Sequence, residues 1–273
     1  MKLLIANRGE IAIRVMRAAA ELNVRTVGIY SEDDAASLHT GKADEAIKLS
    51  GIGTRAYLDI DQIIQVAQDT RCDAIHPGYG FLSENAEFAH RCNKAGIRFI
   101  GSKVEQIQLF GHKAKMRETA IKAGIAVLPG VTHAVTEAEA IEFFAQLDRD
   151  DVAAIKAVAG NRGRGIRLIN HSEEIPNHFA RCKSEALSLF GNSDLYIEQF
   201  LPMARHIEVQ ILGDREGNFL VLGDRDCSIQ HHFQKLIEIA PAPDLDPKIR
   251  KQIVTAALKL AKQTHFEGIG TFE

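Results

Sequence analysis

The chain has 273 residues, 45% of them hydrophobic and 25% charged, with a formal net charge of −3. That length suits one large or two medium domains, and the charge balance excludes a polycation built to grip nucleic acid. Tryptophan is absent and aromatic residues make up 6%, which excludes a base-stacking platform, and no run of about 18 apolar residues marks a membrane span.

In chain order, KLLIA (2–6) predicts a first strand, too short an apolar run for a signal peptide. Asn7 is placed to cap a helix whose apolar face carries Ile11, Val15, Ala18 and Leu22. RTVGIYS (25–31) and AIKLS (46–50) read as strands, and Ile60, Ile63, Ile64 and Ala67 mark a second helix. CDAIHPGYG (72–80) leaves a strand for a loop, and AEFAHRCNKAG (86–96) with IRFIGS (97–102) adds a helix–strand pair. Such alternation predicts a parallel sheet flanked by helices. NRGE (7–10) and HPGYGFLSEN (76–85) then fall at the carboxyl ends of strands, where ligands approach such sheets.

Beyond residue 111 the pattern changes. GHKAKMRETAIKAG (111–124) is a basic helix closed by Gly124, AVLPG (126–130) a strand and turn, and TEAEAIEFFAQL (136–147) an amphipathic helix. AAIKAVAG (153–160) and GIRLIN (165–170) predict a hairpin around a glycine-rich loop. DLYIEQFL (194–201), RHIEVQILGD (205–214) and NFLVLGDRDCS (218–228) predict an antiparallel sheet. Asp246 and Pro247 open a last helix with Ile249, Ile253, Ala257 and Leu260 inward. GIGTFE (268–273) reads as the start of a strand without a partner, so either the chain is a portion of a longer protein or another segment completes the fold. Cys72, Cys92, Cys182 and Cys227 are scattered with no CxxC spacing, as expected of buried thiols in a cytoplasmic protein.

The loop around Gly160, Gly163 and Gly165 is neither a Walker A motif nor GxGxxG, because no GK[ST] follows and the spacing differs. A strand lysine, Lys156, before a glycine hairpin suits a flap over nucleotide phosphates, the lysine neutralising charge and backbone N–H groups cradling oxygens. Taken alone, the same residues also fit a hairpin that binds nothing.

NRGEIAIR, HPGYGFLSEN, the glycine loop, RHIEVQ, DRDCSIQ and APAP, in this order, resemble biotin carboxylase, the ATP-grasp component of biotin-dependent acyl-CoA and pyruvate carboxylases. The resemblance covers the whole chain. It implies an α/β fold with a Rossmann-like N-terminal domain (1–111) and an incomplete ATP-grasp domain (112–273) whose mobile lid covers about 132–200. The implied reaction is phosphorylation of bicarbonate by ATP to carboxyphosphate, then transfer of the carboxyl group to biotin on a carrier protein. Magnesium or manganese, a biotin carboxyl carrier, a carboxyltransferase component and a homodimer are implied with it, and neither nucleic acid nor membrane.

By the same resemblance Lys113 and Lys156 contact phosphates, with Gly160, Gly163 and Gly165 in the lid loop. Glu198, Gln199, Phe200 and Leu201 form the hinge that receives adenine, and His206 and Gln230 contact the nucleotide. Lys235 holds bicarbonate, Glu238 shares its strip, and Glu273 is a metal ligand. The sequence departs from the family at Asn161 and Arg162, where glycines are usual, and Arg162 is expected to pair with a phosphate in compensation. It departs also at His231 and His232, where arginines are usual, at Phe233, where some members carry a histidine, and at Ile239, where a glutamate is usual. The family's second metal carboxylate, a neighbouring asparagine and a biotin-side arginine have no counterpart up to Glu273, so little turnover is expected of this chain alone. Another ATP-grasp ligase of the carbamoyl-phosphate synthase kind, or a non-catalytic nucleotide-binding scaffold, are the alternative readings.

Overall fold

A computed structural model describes residues 1–158 and 165–273, apart from the side chains of Lys113 and Phe190. The chain divides into two compact units, Met1–Gln108 and Leu109–Glu273.

In the first unit, strands β1 (Lys2–Ile5), β2 (Arg25–Tyr30), β3 (Glu45–Lys48), β4 (Ala74–His76) and β5 (Arg98–Phe99) pair in parallel in the order β3-β2-β1-β4-β5. Helices α1 (Gly9–Glu21), α2 (Gly53–Ala56), α3 (Ile60–Asp69) and α4 (Ala86–Lys94) alternate with them. Successive side chains of a strand point to opposite faces. Leu4 therefore packs with Val27, Ile29, Ile63 and Phe88, while Leu3 and Ile5 pack with Ala12, Val15, Met16 and Ala19. Burial on both faces explains why β1 reads as an unbroken apolar run.

Two local expectations change here. The buried stripe of α1 is Ala12, Val15, Met16 and Ala19, not the Ile11–Ala18–Leu22 line, because Leu22 is the C-cap and stays exposed. Asn7 does not cap α1. The N-cap is Arg8, and the Asn7 side chain is committed to loop carbonyls across the sheet.

Helix α5 (Val104–Gly111) spans the point in sequence where the units divide. In the second unit, α6 (Lys113–Lys122) is capped by His112 and followed by Gly124 at φ +66°. The strand expected at 126–130 is absent. Pro129 lacks a ladder donor, and a single bridge, Gly130 to Glu198, remains. Thr136 and Glu139 form a capping box on α7 (Glu137–Ala145). Strands β6 (Val152–Ala157), β7 (Ile166–Ile169) and β8 (Leu195–Phe200) form an antiparallel sheet in the order β7-β6-β8. Helix α8 (Ile175–Phe190) packs behind it, with its Phe179 and Cys182 in one core with Ile155, Ile169 and Ile197 of the strands.

A second antiparallel sheet holds β9 (Ile207–Gly213), β10 (Phe219–His231), β11 (Gln234–Ile239) and β12 (Gly268–Phe272), in the order β11-β10-β9-β12. Helix α9 (Pro247–Gln263) covers one face, with Ala257 and Ala261 buried against Val209, Ile211 and Phe266. Asp246 caps α9 as expected, its carboxylate accepting from Lys248 N at 2.6 Å. The inward stripe is Ile253, Val254, Ala257, Leu258 and Ala261, while Ile249 in the first turn is 48% exposed. Two more expectations are corrected. β8 pairs with β6 rather than β9, since the segment through Pro202 breaks the run between them. β12 does have a partner: α9 returns the chain to the free edge of β9, and pairing runs from Gly268–Gly213 to Phe272–Val209.

All four cysteines are free and buried, and burial pushes the Cys92 thiol up to about 12 and Cys182 to about 11. Among the described residues no helix is long and apolar enough to cross a membrane.

Candidate active site

Alternation along β9 sends Val209 and Ile211 to the α9 core and Glu208 and Gln210 to the opposite face. On that face Glu208 is only 2% exposed, and a carboxylate so buried requires charged partners. Arg225, opposite it in register on β10, donates from Nη2 to Glu208 Oε2 at 2.9 Å. The same guanidinium reaches Gln210 Oε1 and Thr271 Oγ1, each at 2.9 Å, and its Nε lies 3.7 Å from Glu238. The Lys235 ammonium, from β11, contacts the other Glu208 oxygen and donates to Glu273 Oε2 at 2.9 Å.

His206 completes the group. Its Nε2 lies 3.0 Å from Glu273 Oε2 and 3.6 Å from Glu208 Oε1. Gln230 Nε2 meets Nδ1 at 3.0 Å and also donates to Cys227 O at 2.8 Å. With the amide donating to Nδ1, the ring proton belongs on Nε2, which then donates to Glu273. Burial works to raise the Glu273 pKa, but the Lys235 hydrogen bond and charge, with His206, outweigh it and hold the carboxyl below its ordinary value. Ligand atoms of His206, Glu208 and Glu273 lie within 4.8 Å of one another. Two carboxylates among these donors fit a hard divalent cation.

The β10–β11 turn is strained in a specific way. His232 and Phe233, the two residues between the paired His231 and Gln234, have φ of +50° and +61°. A two-residue hairpin of this twist demands positive φ, and each non-glycine residue there costs about 1–2 kcal/mol. The Phe233 ring meets Phe200, at the end of β8, edge-on at 6.0 Å.

A second cluster sits on the β6–β8 sheet. Lys156 and Glu198 share the face turned away from Ile155 and Ile197, in diagonal register. The Lys156 ammonium contacts Glu198 Oε1, and Arg117 of α6 donates to Glu198 Oε2 at 3.2 Å. Gly165, at φ +70°, accepts through its carbonyl from Ala157 N and from Cys182 Sγ, each at 3.0 Å, tying the base of the glycine loop to α8. The Gln199 N–H donates to Pro129 O at 2.8 Å, and Leu201 lies just beyond β8, 47% exposed.

Sequence reasoning therefore nominated two sets that the fold gathers separately: Lys156 with Glu198, and His206, Gln230, Lys235, Glu238 and Glu273. Lys113 begins α6. Gly160, Asn161, Arg162 and Gly163 lie outside the described residues. Glu208, Arg225 and Arg117 were missed. The available signal was the placement of Glu208 and Gln210 on one face of an alternating strand next to His206.

In the first unit, NRGE and HPGYG do meet at the strand ends. Asn7 Nδ2 donates to Pro77 O at 2.7 Å and Tyr79 O at 2.8 Å, lacing the loops after β1 and β4 together. Gly78, at φ +65°, has no room for a side chain: a Cβ would stand 2.6 Å from Asn7 Nδ2. Arg8 pairs with Asp34 through two nitrogens, and Tyr57 donates to Asp34 at 2.7 Å. The Arg8 bond, against the opposing effect of burial, holds the Asp34 carboxyl well below the usual range.

Comparison with known proteins matches residues 1–107 to the biotin carboxylase N-terminal domain and residues 112–273 to the ATP-binding domain of the carbamoyl-phosphate synthase L chain. Pyruvate carboxylase of Bacillus subtilis is 50% identical over 275 aligned residues, which take in all of this chain and 24% of that protein. The chain thus spans about a quarter of such relatives. Among solved structures, Campylobacter jejuni biotin carboxylase in a β-γ-ATP complex superposes with a TM-score of 0.95 at 41% identity, over 99% of this chain and 61% of that one. The biotin carboxylase domain dimer of Hydrogenobacter thermophilus 2-oxoglutarate carboxylase, with MgADP, ADP and bicarbonate, gives 0.94 at 40% identity, over 99% and 59%. By its family matches, the identity it shares with these relatives and its superposition on their structures, the chain belongs to the biotin carboxylase family, carrying that family's N-terminal and ATP-grasp domains.

Proposed function

We propose that this chain binds ATP and bicarbonate in a biotin-dependent carboxylase and drives carboxylation of biotin through carboxyphosphate. One observation carries the reading. Lys235 bonds at 2.9 Å to Glu273, 38 residues away in sequence, so a cation suited to bicarbonate sits beside a carboxylate suited to a metal. The MgADP, ADP and bicarbonate bound by the Hydrogenobacter relative support those ligands. The proposed domain limits are 1–111 and 112–273, with 132–200 as lid.

In this reading Lys113 and Lys156 neutralise phosphate oxygens, helped by Gly160, Gly163 and Gly165 and by Arg162. Residues 198–201 receive adenine, and His206 and Gln230 contact the nucleotide. Lys235 aligns a bicarbonate oxygen with the terminal phosphorus, and Glu238 acts beside it. The oxygen–phosphorus bond forms as the bond to the ADP oxygen breaks, a step that depends on alignment and charge more than on covalent help. Glu273 and Glu208 would hold magnesium or manganese, which would supply further neutralisation of the phosphates. The carboxyl group then passes to N1 of biotin on a carrier protein or domain as the carboxyl–phosphate bond breaks, the released phosphate taking the N1 proton, and the carboxybiotin is used by a carboxyltransferase component. Pairing with a second copy and a cytoplasmic location complete the proposal.

Free biotin, ATP and labelled bicarbonate offered to the full-length protein test it. Label in acid-labile carboxybiotin is expected. Carbamoyl phosphate from ammonia, with unlabelled biotin, would transfer the protein to the carbamoyl-phosphate synthase reading.

A further inference from the structure

Arg117 is not among the residues assigned above, yet its surroundings are unusual. Its side chain is 10% exposed, and Nε is buried with no hydrogen-bond partner among the described residues. Its one charged contact among the described residues is Nη1 to Glu198 Oε2, at 3.2 Å. The other oxygen of the same carboxylate takes Lys156. Each oxygen of Glu198 therefore serves one cation, and the carboxylate cannot turn without losing one of them. Room for this is made by Gly130, which bridges to Glu198: a Cβ there would stand 2.7 Å from Glu198 Cβ and 3.0 Å from Arg117 Cζ. A nearly buried guanidinium with an unused donor is costly, and stability alone would be served as well by an apolar residue.

We infer that Arg117 is a positioning residue: it fixes the rotation of Glu198, and Glu198 in turn sets where the Lys156 ammonium stands to meet a nucleotide phosphate. The inference rests on the proposed phosphate role of Lys156. Loss of Arg117 frees one carboxylate oxygen, Glu198 turns, and Lys156 loses its fixed origin. Adenine is read by main-chain groups of residues 198–201, so the adenosine moiety makes no use of the relay's side chains.

The test compares ADP with adenosine, titrated calorimetrically into the full chain in magnesium-containing buffer. Lys156→Met first tests the underlying reading: it should weaken ADP about tenfold or more and adenosine less than about twofold, and equal ADP binding removes the phosphate role itself. Given that loss, Arg117→Met is expected to weaken ADP about five- to tenfold, a difference near 1–1.4 kcal/mol, and to leave adenosine within about twofold. Combining it with Lys156→Met should add little further loss, as for residues acting in series. Unchanged ADP binding in Arg117→Met, or equal loss for ADP and adenosine, overturns the relay while leaving the role of Lys156 intact. Should Arg117→Met fail to fold, Glu198→Gln carries the same test: an ADP-selective loss supports the relay, and no loss or an equal one overturns it.

Discussion

The two antiparallel sheets of the second unit are built alike and charged differently. Each has helices on one face and ionic side chains on the other. On the β7-β6-β8 sheet, among the described residues, two cations, Lys156 and Arg117, meet one carboxylate, Glu198, leaving a positive surplus. On the β11-β10-β9-β12 sheet two cations, Lys235 and Arg225, meet three carboxylates, Glu208, Glu238 and Glu273, leaving a negative one. A face with spare positive charge is prepared for an anion, and one with spare carboxylate for a cation. The imbalance, rather than the number of ion pairs, separates the phosphate side of the proposed site from its metal side.

The comparison breaks most visibly at Glu208. Removing this 2%-exposed carboxylate takes their most buried partner from Arg225 and Lys235, and Glu208→Ala is expected to lose about 3 kcal/mol in chemical denaturation. A loss under about 1 kcal/mol would mean the charged face is not held by this residue. On the other sheet the apolar side is the strong one. Ile155, fully buried against Ile169 and Cys182, should cost about 3 kcal/mol as Ile155→Ala, with the proposed metal side undisturbed in a Mn²⁺ titration.

Glu273→Gln sharpens the contrast from the ligand side. The residue is half exposed, so its loss should change stability by less than about 1 kcal/mol, while Mn²⁺–ADP binding weakens about tenfold. Equal binding would remove Glu273 from the metal site. The smallest effect concerns Asp226, which Ser228 and Arg205 hold down at about 2. A depressed carboxylate stabilises above its unfolded pKa, and that stability disappears as pH falls through the folded value. Asp226→Asn should therefore be less stable than wild type at neutral pH, with the gap closing between about pH 4 and 2. A gap that persists below pH 2 contradicts this assignment.

Legibility followed the range of the interactions. The parallel sheet of the first unit was readable because continuous apolar strands alternate with helices, a local signal, and the α9 cap at Asp246–Pro247 was equally local. The phase of α1 was not, because Leu22 resembles a core position until the helix is seen to end before it. The partners of β8 and β12 depend on which edge the chain returns to, and no window of sequence carries that. The same holds for the site. Motif residues such as Lys235 and Glu273 stood out by resemblance, but Glu208 and Arg117 look like surface charges until distant partners enclose them.

The proposed reaction requires bicarbonate to become the phosphoryl acceptor at the Lys235 side of the site. Bicarbonate labelled with ¹⁸O, supplied with ATP and free biotin to the full-length protein, reads this directly. If a bicarbonate oxygen attacks phosphorus, one labelled oxygen appears in the released phosphate and the carboxybiotin keeps the other two. Phosphate free of label, released while biotin is carboxylated, would contradict it.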